Sequence, residues 1–131
     1  MVEFALVIGL ILLILIGIFD LGRIVYTTTA LSNAAREGAR VAVVNSNTTA
    51  IQDAVISTGI GLNIQRSQIA PPVYCTVPDC SSTGARSAAV AVKISISNYP
   101  FTAITPFIGR ILGPSDTINL STSASMTMEK P

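Results

Sequence analysis

Glu3 and Asp20 stand at the two ends of Phe4 to Phe19, sixteen consecutive residues without one polar side chain. A carboxylate at the edge of so much apolar surface is costly unless a cation pairs with it. Arg23 lies three residues beyond Asp20, on the same face of a helix, and can pair with it within the chain. A bridge between copies of the chain would use the same two residues, and spacing alone leaves the two open. Cys75 and Cys80, in Val-Tyr-Cys-Thr-Val-Pro-Asp-Cys-Ser, are the only cysteines. Two cysteines without histidine make a poor zinc site, because four ligands are normally required. A redox pair is more usually separated by two residues at a helix start. A disulfide closing a small surface loop of an exported domain fits better, with two free thiols as the alternative.

Catalytic chemistry is hard to find. The absence of histidine removes triads and His-based metal sites from consideration. The acids are scattered singly, so no carboxylate pair for acid–base work is visible. Gly59-Ile60-Gly61 lacks the rest of any phosphate-binding pattern. Net charge is +1 without a basic cluster, which argues against a nucleic-acid partner. The chain is expected to be non-enzymatic, with no cofactor and no metal. Asn47-Thr48-Thr49 and Asn119-Leu120-Ser121 satisfy the N-glycosylation triplet, a short pattern that also arises by chance, and the many Ser and Thr residues leave O-glycosylation open.

The element that positions the two acids is a rod. Phe4 to Phe19 holds thirteen large apolar side chains, whose burial is worth on the order of 20–40 kcal/mol. Whole domains are stable by only about 5–15 kcal/mol, so this surface must be covered. As a helix the run spans about 24 Å against the ~30 Å hydrocarbon core of a bilayer. Leu21 to Tyr26 extend it if Asp20 and Arg23 face a partner or snorkel. Apolarity on every side means burial on every side, in lipid or in a bundle of identical helices. A cleaved signal peptide would need a basic start and a small-residue cleavage site, and neither is seen. Gly9 and Gly17 fall on one face, where they allow close helix contact or are merely tolerated.

Beyond Asp20 the helical pattern continues. Leu31, Ala34, Ala35, Gly38 and Ala42 form a stripe of small residues, with Arg36, Glu37 and Arg40 off it, and Asn45-Ser46-Asn47 is the first convincing stop. Asn47 or Thr48 should cap a short helix over Ala50 to Ser57, with Ile51, Ala54 and Val55 inward and Gly59 ending it. Gln65 to Ser87 looks rich in loops, with a weak strand signal at Val73, Cys75 and Val77. Val90, Val92, Ile94 and Ile96 alternate with polar or small residues, as do Ile118, Leu120, Ala124, Met126 and Met128. Period two with one wet face predicts antiparallel strands lying on the small-residue stripe. Tyr99 to Pro114 is expected to connect them, with Phe107, Ile108, Ile111 and Leu112 on one side of a helical turn. The expected fold is α+β: a long N-terminal helix, apolar stalk then amphipathic half, packed on a small antiparallel sheet. Residues 1–26 form the stalk or membrane anchor, and residues 27–131 the globular head with the upper half of the helix.

Val2-Glu3-Phe4-Ala5-Leu6, Phe19-Asp20-Leu21-Gly22-Arg23 and Asn33-Ala34-Ala35-Arg36-Glu37-Gly38-Ala39-Arg40 resemble the TadE-like pilins of the tight-adherence (Tad) system, within the type IV pilin superfamily. Tyr99-Pro100-Phe101-Thr102, with Thr105-Pro106, and the closing Ser123 to Glu129 continue the resemblance. It covers both ends of the chain but not Thr48 to Ser87. The resemblance implies a precursor trimmed by a prepilin peptidase, a subunit held in the inner membrane, and extraction by the pilus assembly machinery into an extracellular helical filament of identical copies. Pilins usually place a glutamate fifth in the mature chain, whereas Glu3 is third here. Its implied partner is the α-amino group of an adjacent subunit, with Phe4 beside it in the bundle; an acid at the membrane surface is the plainer alternative. A major shaft subunit, a minor priming or tip subunit, and a monomeric membrane-anchored binding module all fit these residues.

Overall fold

A computed structural model gives the architecture and describes residues 2–102, 104 and 117–128. Helix α1, Val2–Val44, runs without interruption through both the apolar run and the small-residue stripe. Its Thr27-Thr28-Thr29 sequence is a poor helix former, but each hydroxyl donates to the carbonyl four residues back. Thr27 Oγ1 reaches Arg23 O at 2.8 Å, Thr29 Oγ1 reaches Val25 O at 2.8 Å, and Thr28 Oγ1 bonds Ile24 O. These bonds keep the hydroxyls from competing for other backbone groups where the helix enters the head.

The helix stops at the asparagines, as its sequence predicts. Asn45 N–H still donates to Val41 O, and Asn47 N–H is taken by the Asn45 side chain at 2.9 Å. Helix α2, Thr48–Thr58, follows at once, with Asn47 as N-cap accepting from Thr49 N–H at 3.0 Å and Gly59 as C-cap. It folds back along α1, and Ile51 and Val55 are buried there. Close approach depends on Gly38: a Cβ at that position would stand 2.4 Å from Val55 Cγ2.

Three antiparallel strands complete the head in the order β1–β2–β3: β1 is Val73–Cys75, β2 Ala91–Thr102 and β3 Thr117–Thr127. The weak strand signal at Val73 marks a real but short edge strand. Val90 lies outside β2 and is 41% exposed, so the inward set begins at Val92 rather than Val90. The strand also runs further than expected, since Tyr99 to Thr102 pair with Leu120 to Thr117 instead of starting the connection. A register shift between Ile96 and Tyr99, with Asn98 at φ 57°, separates its two halves. The expected turn at Phe107 to Leu112 lies outside the described residues.

The core lies between the sheet and the two helices. Leu31, Ala34, Ala35, Ala39 and Ala42 of α1 meet Val92, Ile94 and Ile96 of β2, Ala124 of β3, and Ile51 and Val55 of α2. Small side chains on α1 let the sheet lie close against the helix, and the aliphatic residues opposite fill the space. The fold is thus α+β, a long helix on a small antiparallel sheet.

Candidate functional site

The two halves of α1 differ sharply. Leu31, Ala34, Ala35, Ala39 and Ala42 are 0% exposed, whereas all thirteen large apolar side chains of Phe4 to Phe19 are between 41% and 73% exposed. Leu21, Val25 and Tyr26 continue this surface at 60% to 67%. By length and composition the helix can cross a membrane. The head buries its own half of the helix and leaves the other half uncovered.

Glu3 sits in the first turn of α1, exposed, with Phe4 beside it at 73% exposure. The positive end of the helix dipole favours a carboxylate there. Asp20 has a different fate. It is 0% exposed, and its Oδ1 accepts the backbone N–H of Ile104 at 3.1 Å. Arg23 Nη1 stands 3.7 Å from the same oxygen, and the Arg23 guanidinium lies 5.2 Å from the Phe101 ring centroid. Within the chain Asp20 and Arg23 stand at ion-pair distance, with the head closing over them. Both residues belong to the stalk side of residue 26, yet both touch the head. Nothing in residue type or spacing marks their partners Phe101 and Ile104 as site residues. The only signal pointing there is the Tyr-Pro-Phe-Thr motif that ends β2.

A cavity of about 260 Å³ opens beside Arg23, lined also by Tyr26, Leu62, Tyr99 and Phe101. The Tyr99 hydroxyl donates to Leu62 O at 2.5 Å and holds the loop after α2 against the end of the sheet.

Cys75 and Cys80 are joined by a disulfide, with their Cα atoms 4.8 Å apart. The ring they close belongs to a loop in which Thr76 N–H donates to Ser82 O and Gly84 N–H to Tyr74 O, each at 3.0 Å. Arg86 ties this region to the far end of α1. Its Nη2 donates to Val43 O at 3.0 Å and its guanidinium lies 5.8 Å from the Tyr74 ring centroid. The disulfide loop therefore stands at the opposite end of the head from the stalk. Asn47 is exposed, but its Oδ1 is committed to capping α2. Asn119 is exposed on β3, opposite Pro100 of β2. Among the described residues, no three of the His, Cys, Asp or Glu type gather where they could hold a metal ion.

Residues 1–40 match the model of a family described as TadE-like protein, the family whose motifs these residues resemble. The match covers the stalk and the first part of the helix that the head buries. No curated protein and no solved structure matches the chain.

Proposed function

We propose, from the match of residues 1–40 to the TadE-like family, that this chain is a structural, non-enzymatic pilin-like subunit. It waits in the cytoplasmic membrane, anchored by the stalk, and is then assembled through the same helix into an extracellular Tad-like filament with its head outward. One observation carries this reading: thirteen large apolar side chains stay exposed on a helix whose upper half buries its small-residue stripe in its own head. Lipid covers that surface before assembly, and equivalent helices of other copies cover it afterwards. Glu3, at the exposed start of the helix, pairs with the α-amino group of a neighbouring subunit and fixes axial register. Asp20 and Arg23 serve within the subunit, where they fasten the head to the stalk.

Glu3→Ala tests the register role. A carboxylate needed only in the assembled state can be lost without harm to insertion. The expected result is a normally inserted protein that no longer appears in filaments sheared from the cell surface. Wild-type protein should be a principal band in such filaments if it builds the shaft, and a trace component if it primes or tips them.

A second reading, a monomeric membrane-anchored binding module, draws on the Cys75–Cys80 loop at the end of the head away from the stalk. It predicts that Glu3→Ala leaves surface display intact, so the same variant separates the two.

A further inference from the structure

Five side chains of unlike origin gather where the stalk enters the head. Leu21 and Tyr26 of α1 are 60% and 67% exposed, Ile60 of the loop after α2 is 82% exposed, and Ile104 after β2 is 65% exposed. Arg23 among them has its side chain 47% exposed. Their common level is set by contacts. Ile60 and Tyr26 line one groove of about 430 Å³, the neighbouring Gly61 and Leu62 share the cavity beside Arg23, and the Ile104 N–H is bonded to Asp20. Large aliphatic side chains at loop ends are poor companions for water, and here, among the described residues, they share one end of the head with a tyrosine and the half-exposed Arg23.

We propose that this underside of the head is a docking surface for the phospholipid bilayer. The inference rests on the membrane-anchored state of the reading above. From Phe4 to Arg23 the helix axis covers about 28 Å, close to the ~30 Å hydrocarbon thickness. A bilayer that buries Phe4 to Phe19 therefore meets residues 20–26 at its headgroup layer. Whatever the head holds at that level is held there too. Tyrosine and arginine suit this layer, the ring at headgroup depth and the guanidinium on lipid phosphate. Ile104, bonded to Asp20, lies at the acyl boundary, and Ile60, in one groove with Tyr26, Thr29 and Asn33, lies at headgroup depth. The head thus rests on the membrane through these residues instead of swinging freely above it.

The chain contains no tryptophan, so single reporters can be introduced. Full-length Ile60→Trp, Leu12→Trp and Val90→Trp are reconstituted in phosphatidylcholine vesicles with and without phosphatidylglycerol, using lipids brominated either near the carbonyls or deep in the chains. Docking predicts that Ile60→Trp emits at shorter wavelength than Val90→Trp and loses emission to the shallow bromines. Leu12→Trp should lose emission to the deep ones. Ile60→Trp behaving like Val90→Trp while Leu12→Trp is quenched would overturn the docking surface and leave the anchor standing. An unquenched Leu12→Trp would overturn the anchor and docking together. Short-wavelength Ile60→Trp emission without lipid quenching would assign the surface to a second copy and also overturn the proposal. Arg23→Gln, added to Ile60→Trp, should abolish any stronger shallow quenching in phosphatidylglycerol vesicles; an unchanged preference would overturn the role given to the cation.

Discussion

Glu3 and Asp20 look alike as letters, since each is a lone acid at one end of an apolar run. The fold separates them. Glu3 stays on the outside, whereas Asp20 is turned under the head and accepts the Ile104 N–H while Arg23 stands beside it. Locally only Arg23, three residues after Asp20, distinguishes the two; the group that covers Asp20 comes from 84 residues further along the chain. This fixes what substitutions should do. Asp20→Ala removes an acceptor from a partly buried donor, a loss of about 1–3 kcal/mol. Asp20→Asn keeps an oxygen for Ile104 and gives up the charge facing Arg23. Thermal unfolding of the detergent-solubilised protein should therefore show a clear drop for Asp20→Ala and a smaller one for Asp20→Asn. Equal drops would mean that charge, not the hydrogen bond to the chain after β2, fastens head to stalk.

At the level of elements, the decisive contact is between α1 and α2 at Gly38. A Cβ there would lie 2.4 Å from Val55 Cγ2 and within 3.8 Å of Ile94 and Ile51 methyl groups. Val55 is β-branched and buried, so it has little freedom to move aside. Overpacking of this kind costs about 1–3 kcal/mol, more than the ~1 kcal/mol that alanine gains over glycine in a helix. Gly22 has nothing within 4 Å of the same imagined atom. Gly38→Ala should lower the unfolding midpoint of the head, and Gly22→Ala should leave it unchanged or raise it. Both helices were legible because their signals are local: a stripe of small residues, an asparagine cap, a closing glycine. The period of β3 was legible for the same reason. β2 was half legible, because its alternation breaks at Ser97 and Asn98, after which Tyr99 and Phe101 take over the inward side. Pro100 lies within the segment expected to connect the strands, yet it belongs to β2. It is tolerated because β1 pairs only with Ala91 to Lys93, so at Pro100 β2 has β3 on one side and no need of an N–H on the other.

On the scale of the molecule, the described residues within 1–19 contribute no buried residue to the head's core. The apolar excess that made an anchor or bundle legible from composition is the same surface that stays uncovered in the fold. The junction was not legible, since its parts come from α1, the loop after α2 and the end of β2. That division makes a sharp prediction about where the chain can be cut. Removing residues 1–19 takes away all thirteen exposed apolar side chains of the run and no buried residue of the core. The remaining chain, beginning at Asp20, should stay folded and soluble without detergent, with its helical and strand signals kept. Removing residues 1–26 instead also takes Asp20 and Arg23, and with them the acceptor for Ile104 and the cation over Phe101. The end of β2 then loses its attachment to α1, so this shorter head should unfold at lower temperature than the one starting at Asp20. Circular dichroism melts of the two purified heads decide the matter. Identical midpoints would place the boundary between stalk and head at residue 26, and a lower midpoint for the shorter head places it at Asp20.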